Sequence, residues 1–400
     1  RMSMHDYALR QNAQLGRLTW AASSDVEVIY VSPFPLSPDV LQYYTKLLQI
    51  QGNDDRPEER FKVVFPENYD RFPSHLSIAT VLLYSPRCMR RIANFCRGKD
   101  AYILPGIVGP DDLKLACQLE MPLLAPEPQV AAVYTSKSGA RRVFSIAEVN
   151  TPPGAYDLYN EHEALHSLAR LIFERLDIPR WLFKVDDEYM GRGHAWIDVS
   201  HLQCHAALMR EKERSLQIWM DPVQQQAAVN KVLEELVRVL PRKVEMAHKD
   251  LFPTWDAFLD TFTRVGGVIE AVPPAAVESP SVNLFIDPTG DVLIHSTHDH
   301  MFTADYHYVG ATFPQQTANR RALNAASLAV GKVCADKGII GHVSVDFVAF
   351  RDNDNQQRLW AIDLNIGVHD TVVSFELFRF LTNGHFNANL GVYYADVTAG

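Results

Sequence analysis

Two short strings near the C-terminal end constrain the fold most: VSVDFVAF at 343–350 and LWAIDLNIG at 359–367. Each alternates apolar with polar or small residues, the pattern of a half-buried β-strand. The wholly polar RDNDNQQR between them reads as a hairpin loop. Pairing Phe350 with Leu359 sets Asp346 directly opposite Asp363, with Asn365 two residues along on the same face. Trp360, Ile362 and Leu364 then fill the other side. Two facing carboxylates repel unless a cation lies between them. All-oxygen ligands suit Mg²⁺ or Mn²⁺, and Mg²⁺ usually comes with substrate phosphates. The hairpin is therefore either a magnesium–nucleotide site or an ordinary hairpin with a polar solvent face.

A chain of 400 residues exceeds one simple core and implies two or three subdomains. With 47% apolar and 10% aromatic residues it can bury sizeable cores. The formal charge of −10 disfavours a nucleic-acid or anionic-membrane surface, either of which needs a basic stripe. No stretch approaches the ~18 consecutive apolar residues of a membrane span, and RMSMHDYALRQ has no apolar signal core. A start at Arg1 suits a chain cut from a longer protein. Five scattered cysteines argue for reduced thiols in a cytosolic compartment, with neither a disulfide framework nor a zinc knuckle.

Along the chain, VEVIYV (26–31) is a short β-branched run ending at SPFPLSPD, the pattern of a buried parallel strand. Strand candidates follow at 61–65, 101–106 and 121–126, with helical patterns over about 74–97 and from Pro110. This alternation predicts an α/β, Rossmann-like parallel sheet. No glycine fingerprint follows the first strand, so it is not read as a dinucleotide site. After about residue 133 the pattern becomes α+β. Helices are expected at 136–147 and 160–176, then a hairpin from WLFKVDD and HAWIDV around a glycine-containing loop. A mostly helical stretch covers 205–264. GGVIEAV opens a second strand-rich block, SVNLFIDPTGDVLIHST turns at Asp287-Pro-Thr-Gly, and a helix at 315–336 leads to the opening hairpin.

Several residues along this path could carry chemistry. Lys184 shares a strand face with Leu182 and Asp186, opposite Trp181, Phe183 and Val185. A lysine amid an apolar strand costs stability unless it meets an anion, although a snorkelling edge lysine gives the same pattern. Gly191 and Gly193 would let backbone N–H groups approach phosphate oxygens. Lys137 opens a helix that Ser136 could cap, where anions are favoured and where solvated lysines are also common. Glu270 precedes a Pro-Pro stop and could accept an adenine amino hydrogen. His298 with His300, and Cys204 with His205, lack further ligands at metal spacing and read as polar or substrate-facing positions.

Taken in order, these strings resemble the ATP-grasp superfamily, and more closely its branch of pheganomycin-type carboxylate–amine ligases, to which IQ-motif proteins of eukaryotic cilia and sperm also belong. The likeness is carried by 135–158, 183–199, 278–302, 338–350 and 360–365. It implies an extension over 1–25, a Rossmann-like pre-ATP-grasp domain over 26–133, and a two-subdomain ATP-grasp fold over 134–400 whose lid spans about 180–270. By the same resemblance Lys137 and Lys184 hold ATP phosphates, and the loop Asp187–His194, with Asp187, Gly191 and Gly193, closes over them. Glu270 and the backbone near Val272 meet adenine, and Asp346, Asp363 and Asn365 hold Mg²⁺ (or Mn²⁺). The implied chemistry is attack of a small carboxylate on the γ-phosphate, giving an acyl-phosphate that an amine captures.

The chain departs from that pattern at Ile366, where the ligases have arginine, and at His300, where glutamine is expected. Arg192 in the loop, as a catalytic partner of Lys184, or Arg141 or Arg142, could substitute. The alternative is a non-catalytic module of a larger ciliary or flagellar protein. Ile50-Gln51 does not continue as an IQ motif, so any calmodulin or axonemal partner would bind outside this chain.

Overall fold

The computed structural model describes residues 13–395 apart from 52–55, 57–58, 74–75, 189–190, 215–216 and 275–276. Residues 1–12, nearly half of the segment expected as an N-terminal extension, lie outside the described residues, as do 396–400 and, in the failed IQ string, 52–55 and Pro57. The described remainder of the extension is not a loose tail. A 3₁₀ helix, Gln14–Ala22, buries Leu15, Leu18 and Ala21 in one cluster with Tyr30, Leu48 and Phe61.

Strand β1 (Val28–Val31) pairs in parallel with β2 (Phe61–Val64), and the helix Pro38–Gln51 supplies the crossover that parallel strands need. Beyond β2 the parallel sheet is smaller than expected. The strands anticipated at 101–106 and 121–126 reduce to one parallel bridge, Ile103 to Leu123. Ile103 N donates to Pro122 O at 2.9 Å and Leu124 N to Ile103 O at 2.8 Å. Pro105, Pro122 and Pro126 lack the N–H that a longer ladder requires. The helical pattern of 74–97 is likewise two helices, Ile78–Leu83 and Pro86–Cys96, parted where Pro86 opens the second; its expected start at 74–75 lies outside the described residues.

Two five-stranded sheets form the rest of the frame. In chain order their strands are β3 (Gly154–Leu158), β4 (Arg180–Val185), β5 (His194–Asp198), β6 (Glu245–Met246), β7 (Gly267–Val272), β8 (Pro280–Ile286), β9 (Val292–Phe302), β10 (Tyr308–Thr312), β11 (Gly341–Arg351) and β12 (Gln357–Ile366). The first sheet has the order β3-β7-β4-β5-β6 and the second β10-β9-β8-β11-β12. Every pairing within them is antiparallel.

Each sheet buries one face on helices and turns the other to a shared cleft. In the first, Trp181, Phe183 and Val185 pack with Ile172, Phe258 and Phe262 from the helices Glu161–Glu174 and Trp255–Val265. Phe183 meets Trp255, Phe258 and Phe262 edge-on at 5.3, 6.4 and 6.0 Å between centroids. Truncating it to alanine would cost about 3–5 kcal/mol. In the second sheet Val343, Val345, Phe347, Leu364 and Ile366 pack with Val143, Phe144, Leu323 and Val330.

The opening hairpin forms with Asp346 opposite Asp363, but Phe350 pairs with Arg358 rather than Leu359. A β-bulge makes up the difference. Phe347 opposes Ala361, so Ile362 is the extra residue. The bulge also corrects the expected faces: Ala361, Leu364 and Ile366 enter the core, while Trp360 and Ile362 join Asp363 and Asn365 on the cleft wall.

Candidate active site in the cleft between the sheets

The cleft encloses about 2030 Å³ between the two sheets and the N-terminal part. Strand alternation delivers Leu182 and Lys184 from β4 into it, and Lys184 is only 3% exposed. Lys137 arrives from the start of the helix Lys137–Ile146, capped by Ser136, whose Oγ accepts from Gly139 N at 3.0 Å. The two ammonium groups meet at one carboxylate from the opposite sheet. Asp363 Oδ1 lies 2.9 Å from Lys137 Nζ and 3.7 Å from Lys184 Nζ.

The network continues inward. Glu270 on β7 is 2% exposed, and its Oε2 lies 2.9 Å from Lys184 Nζ. Its Oε1 is 3.5 Å from Arg141 NH1, which also donates to Pro152 O at 2.8 Å. Burial would raise the Asp363 carboxyl, but Lys137 and Lys184 outweigh it and hold its pKa at about 2. Burial would lower the Lys184 ammonium, but Asp363 and Glu270 keep its pKa above the ordinary lysine value.

The facing carboxylates are thus relieved by the chain itself. Asp363 has its lysines, and Asp346 accepts hydrogen bonds from Ser281 Oγ at 2.6 Å and Asn365 Nδ2 at 2.9 Å. Among the described residues no group of three or more His, Cys, Asp or Glu side chains is arranged to hold a metal. The oxygens still suit a hard cation. Asp363 Oδ1 is shielded from solvent yet accepts no well-aligned hydrogen bond, and Asp346 and Asn365 stand beside it on the cleft wall.

Other expected residues fall in different places. Glu270 faces Lys184 and Arg141, so its oxygens are engaged by cations where an adenine contact was expected. Val272 lines the cleft beside Leu182, Val348, Trp360 and Ile362, an apolar wall. From the loop before β5, Gly191 and His194 reach the cleft, whereas Asp187 is exposed and Arg192 and Gly193 are not on its wall. Tyr189 and Met190 of that loop lie outside the described residues. Gly191 has φ +80°, and a Cβ there would stand 2.2 Å from Tyr306 O. Tyr306, at the β9–β10 turn, also packs edge-on against Trp196 at 5.2 Å and accepts a hydrogen bond from Arg180 at 3.3 Å. The turn therefore bridges the two sheets over the loop.

Ile366 is 3% exposed and belongs to the core, so a residue at this position cannot reach the cleft. Nor do Arg141 and Arg142 replace it there. Arg142 forks Asp157 at 2.5 and 2.7 Å, and Arg141 is bound to Glu270. Sequence reading did not single out His342 and His369, which line the wall together with His194. Burial holds His194 and His342 down to about 3, and His369 below its usual value. His298 instead bonds Ser296 Oγ at 2.9 Å, and His205 bonds Leu176 O at 3.1 Å.

Two antiparallel sheets clasping a cleft, with Lys184 from one sheet and Lys137 from a helix start facing the paired acids of the other sheet, define an ATP-grasp protein. The same fold occurs in biotin carboxylase of Campylobacter jejuni, solved as a complex named for β,γ-ATP: TM-score 0.52 at 12% identity, over 93% of this chain and 68% of that one. It occurs also in the biotin carboxylase domain of 2-oxoglutarate carboxylase from Hydrogenobacter thermophilus, solved with MgADP, ADP and bicarbonate: TM-score 0.50 at 13% identity, over 92% and 67%. The family described as IQCH-like, ATP-grasp matches residues 128–389. The chain is 38% identical over 401 residues to IQ motif-containing protein H of Danio rerio. That match covers 97% of this chain and 38% of the relative's length. The chain belongs to the IQCH-like ATP-grasp family.

Proposed function

We propose that the chain binds Mg-ATP in this cleft and acts as an ATP-dependent carboxylate–amine ligase. In this reading residues 26–133 form the pre-ATP-grasp domain and 134–400 the ATP-grasp domain, with a lid over about 180–270. The observation that carries it is the meeting of Lys137 and Lys184, both largely buried, at Asp363 across the cleft. Lys137, Lys184 and Arg141 set three cations against the two carboxylates Asp363 and Glu270, and a phosphate chain would satisfy that surplus of positive charge. The base would lie against Leu182, Val272, Trp360 and Ile362. Asp346, Asp363 and Asn365 would hold Mg²⁺, which supplies charge neutralisation at the phosphoryl oxygens.

The chain's residues then have distinct tasks. Lys137 and Lys184 exchange Asp363 for phosphate oxygens, and Glu270 keeps Lys184 positioned after the exchange. The Gly191 loop, held by Tyr306, excludes water from the reactive anhydride. A carboxylate oxygen attacks the γ-phosphorus and ADP leaves; an amine nitrogen then attacks the acyl carbon and phosphate leaves. In sum a carboxylate, an ammonium and ATP give an amide, ADP, hydrogen phosphate and one proton.

A second reading has its own observation. With Ile366 in the core, the cleft lacks the arginine of the ligases, which favours a nucleotide-binding module without turnover inside a longer IQ-motif protein, its calmodulin or axonemal partners bound elsewhere. Mass-spectrometric detection of ADP against a pool of amino acids and short peptides separates the two. Mg-ATP should raise the melting temperature under both readings, because it binds only the native state. An unchanged shift in Lys184→Ala would remove Lys184 from the site.

A further inference from the structure

The cleft has a second end, where the 3₁₀ helix Gln14–Ala22 meets the first residues of the helix Asp370–Thr382. Gln14 Nε2 lies 3.4 Å from both Val368 O and Asp370 Oδ1. Both neighbours are acceptors, so the amide nitrogen faces them and Oε1 points away. That oxygen is shielded from solvent and has no hydrogen-bond partner among the described residues. His369 stands immediately before the helix, with its ring turned toward the Asn365 backbone carbonyl. A carbonyl only accepts, so the nitrogen facing it carries the proton. Nε2, equally shielded and unpartnered, presents a lone pair.

Gln14, His369 and Asp370 all line the cleft. Three acceptors therefore gather at this end, two of them lacking donors and the third negatively charged. We infer that Gln14 Oε1, His369 Nε2 and the Asp370 carboxylate form a seat for a primary amine. An ammonium carries three N–H donors and no acceptor, which matches this set, and Asp370 supplies the counter-charge. Asp370 also offsets the positive end of its own helix, which would otherwise oppose a cation here. A metal ion is the rival occupant, but the described residues hold no group of three His, Cys, Asp or Glu side chains fit for one. The seat adjoins the carboxylate pair, since Asp346 is among the charges acting on the His369 ring. The inference rests on the ligase reading only in naming this amine as the nucleophile of that reaction.

The test follows the His369 ring nitrogens by NMR in ¹⁵N-histidine-labelled protein, assigned by their loss in His369→Gln. Glycinamide hydrochloride is titrated at fixed pH and ionic strength, beside tetramethylammonium chloride, which has the charge but no N–H. A saturable shift with glycinamide alone is expected, and Asp370→Asn should weaken glycinamide binding about tenfold. Gln14→Met, which removes the amide oxygen at similar volume, should weaken it too and serves if the Asp370 variant does not fold. No saturable shift, or equal shifts with both cations, overturns the seat. Both titrations are run with and without Mg-AMPPNP. Loss of nucleotide binding with the glycinamide response intact overturns the ligase reading and spares the seat; the reverse overturns the seat alone.

Discussion

At the lysine end of the cleft every named charge has a partner within the chain: Lys137 and Lys184 at Asp363, Lys184 and Arg141 at Glu270. At the histidine end Gln14 Oε1 and the Nε2 atoms of His300 and His369 are buried with no hydrogen-bond partner among the described residues. A ligand at the first end must exchange ion pairs, so its affinity is a difference between two sets of strong interactions. A ligand at the second completes hydrogen bonds that the fold leaves open and gains from each. The lysine end is thus stable when empty and selective for highly charged ligands. The histidine end is built for a partner.

The largest expected effect tests whether the lysine end is complete. Ile366→Arg puts a charge into the core shared with Val343 and Phe347, and should cost about 4 kcal/mol or more in urea unfolding. A stable variant that binds ATP more tightly would break the comparison, because residue 366 would then reach the cleft. Next, Lys184→Met leaves Glu270 and Asp363 each short of a cation and should lose about 3 kcal/mol. A neutral result would mean the internal pairing contributes little.

Asp363→Asn should be smaller, on the order of 2 kcal/mol, and its sign is informative. Sequence reasoning, with the two aspartates facing each other alone, predicts relief of repulsion and no loss of stability without metal. The lysines reverse that sign. Because the folded pKa is held down to about 2, the Asp363 contribution is full above pH ~4 and lost as pH falls toward 2. The Asn variant should be less stable at neutral pH and show a flatter acid limb in thermal melts. Gly191→Ala should cost about 1–3 kcal/mol through its positive φ and the approach to Tyr306, with nucleotide affinity falling more than stability.

These sites differ in how far the sequence exposes them. The Asp346–Asp363 pairing and the cleft face of Lys184 are local facts of alternation, the first legible within a single hairpin and the second within a single strand. The bulge at Ile362 is not, because the outer hairpin register depends on turn geometry at Asp352–Gln356 that the alternation does not record. The inferred phosphate lysines come from a helix start and a strand end, yet their convergence on Asp363 spans more than 170 residues and rests on sheet packing. Gln14 and His369, more than 350 residues apart, carry no pattern at all. The short N-terminal parallel sheet was overestimated because hydrophobic runs such as MPLLAP look like strands, while their prolines limit pairing to single residues.

The central claim is that Lys137, Lys184 and the aspartate pair jointly receive a magnesium nucleotide. Isothermal titration of AMPPNP into the protein, in excess Mg²⁺ and again in EDTA, tests it most directly. The account predicts saturable binding in Mg²⁺ that weakens at least tenfold, about 1.4 kcal/mol, in EDTA, where the phosphates lose one cation and Asp363 remains with its lysines. Equal affinity in both buffers, or no binding in either, would contradict it.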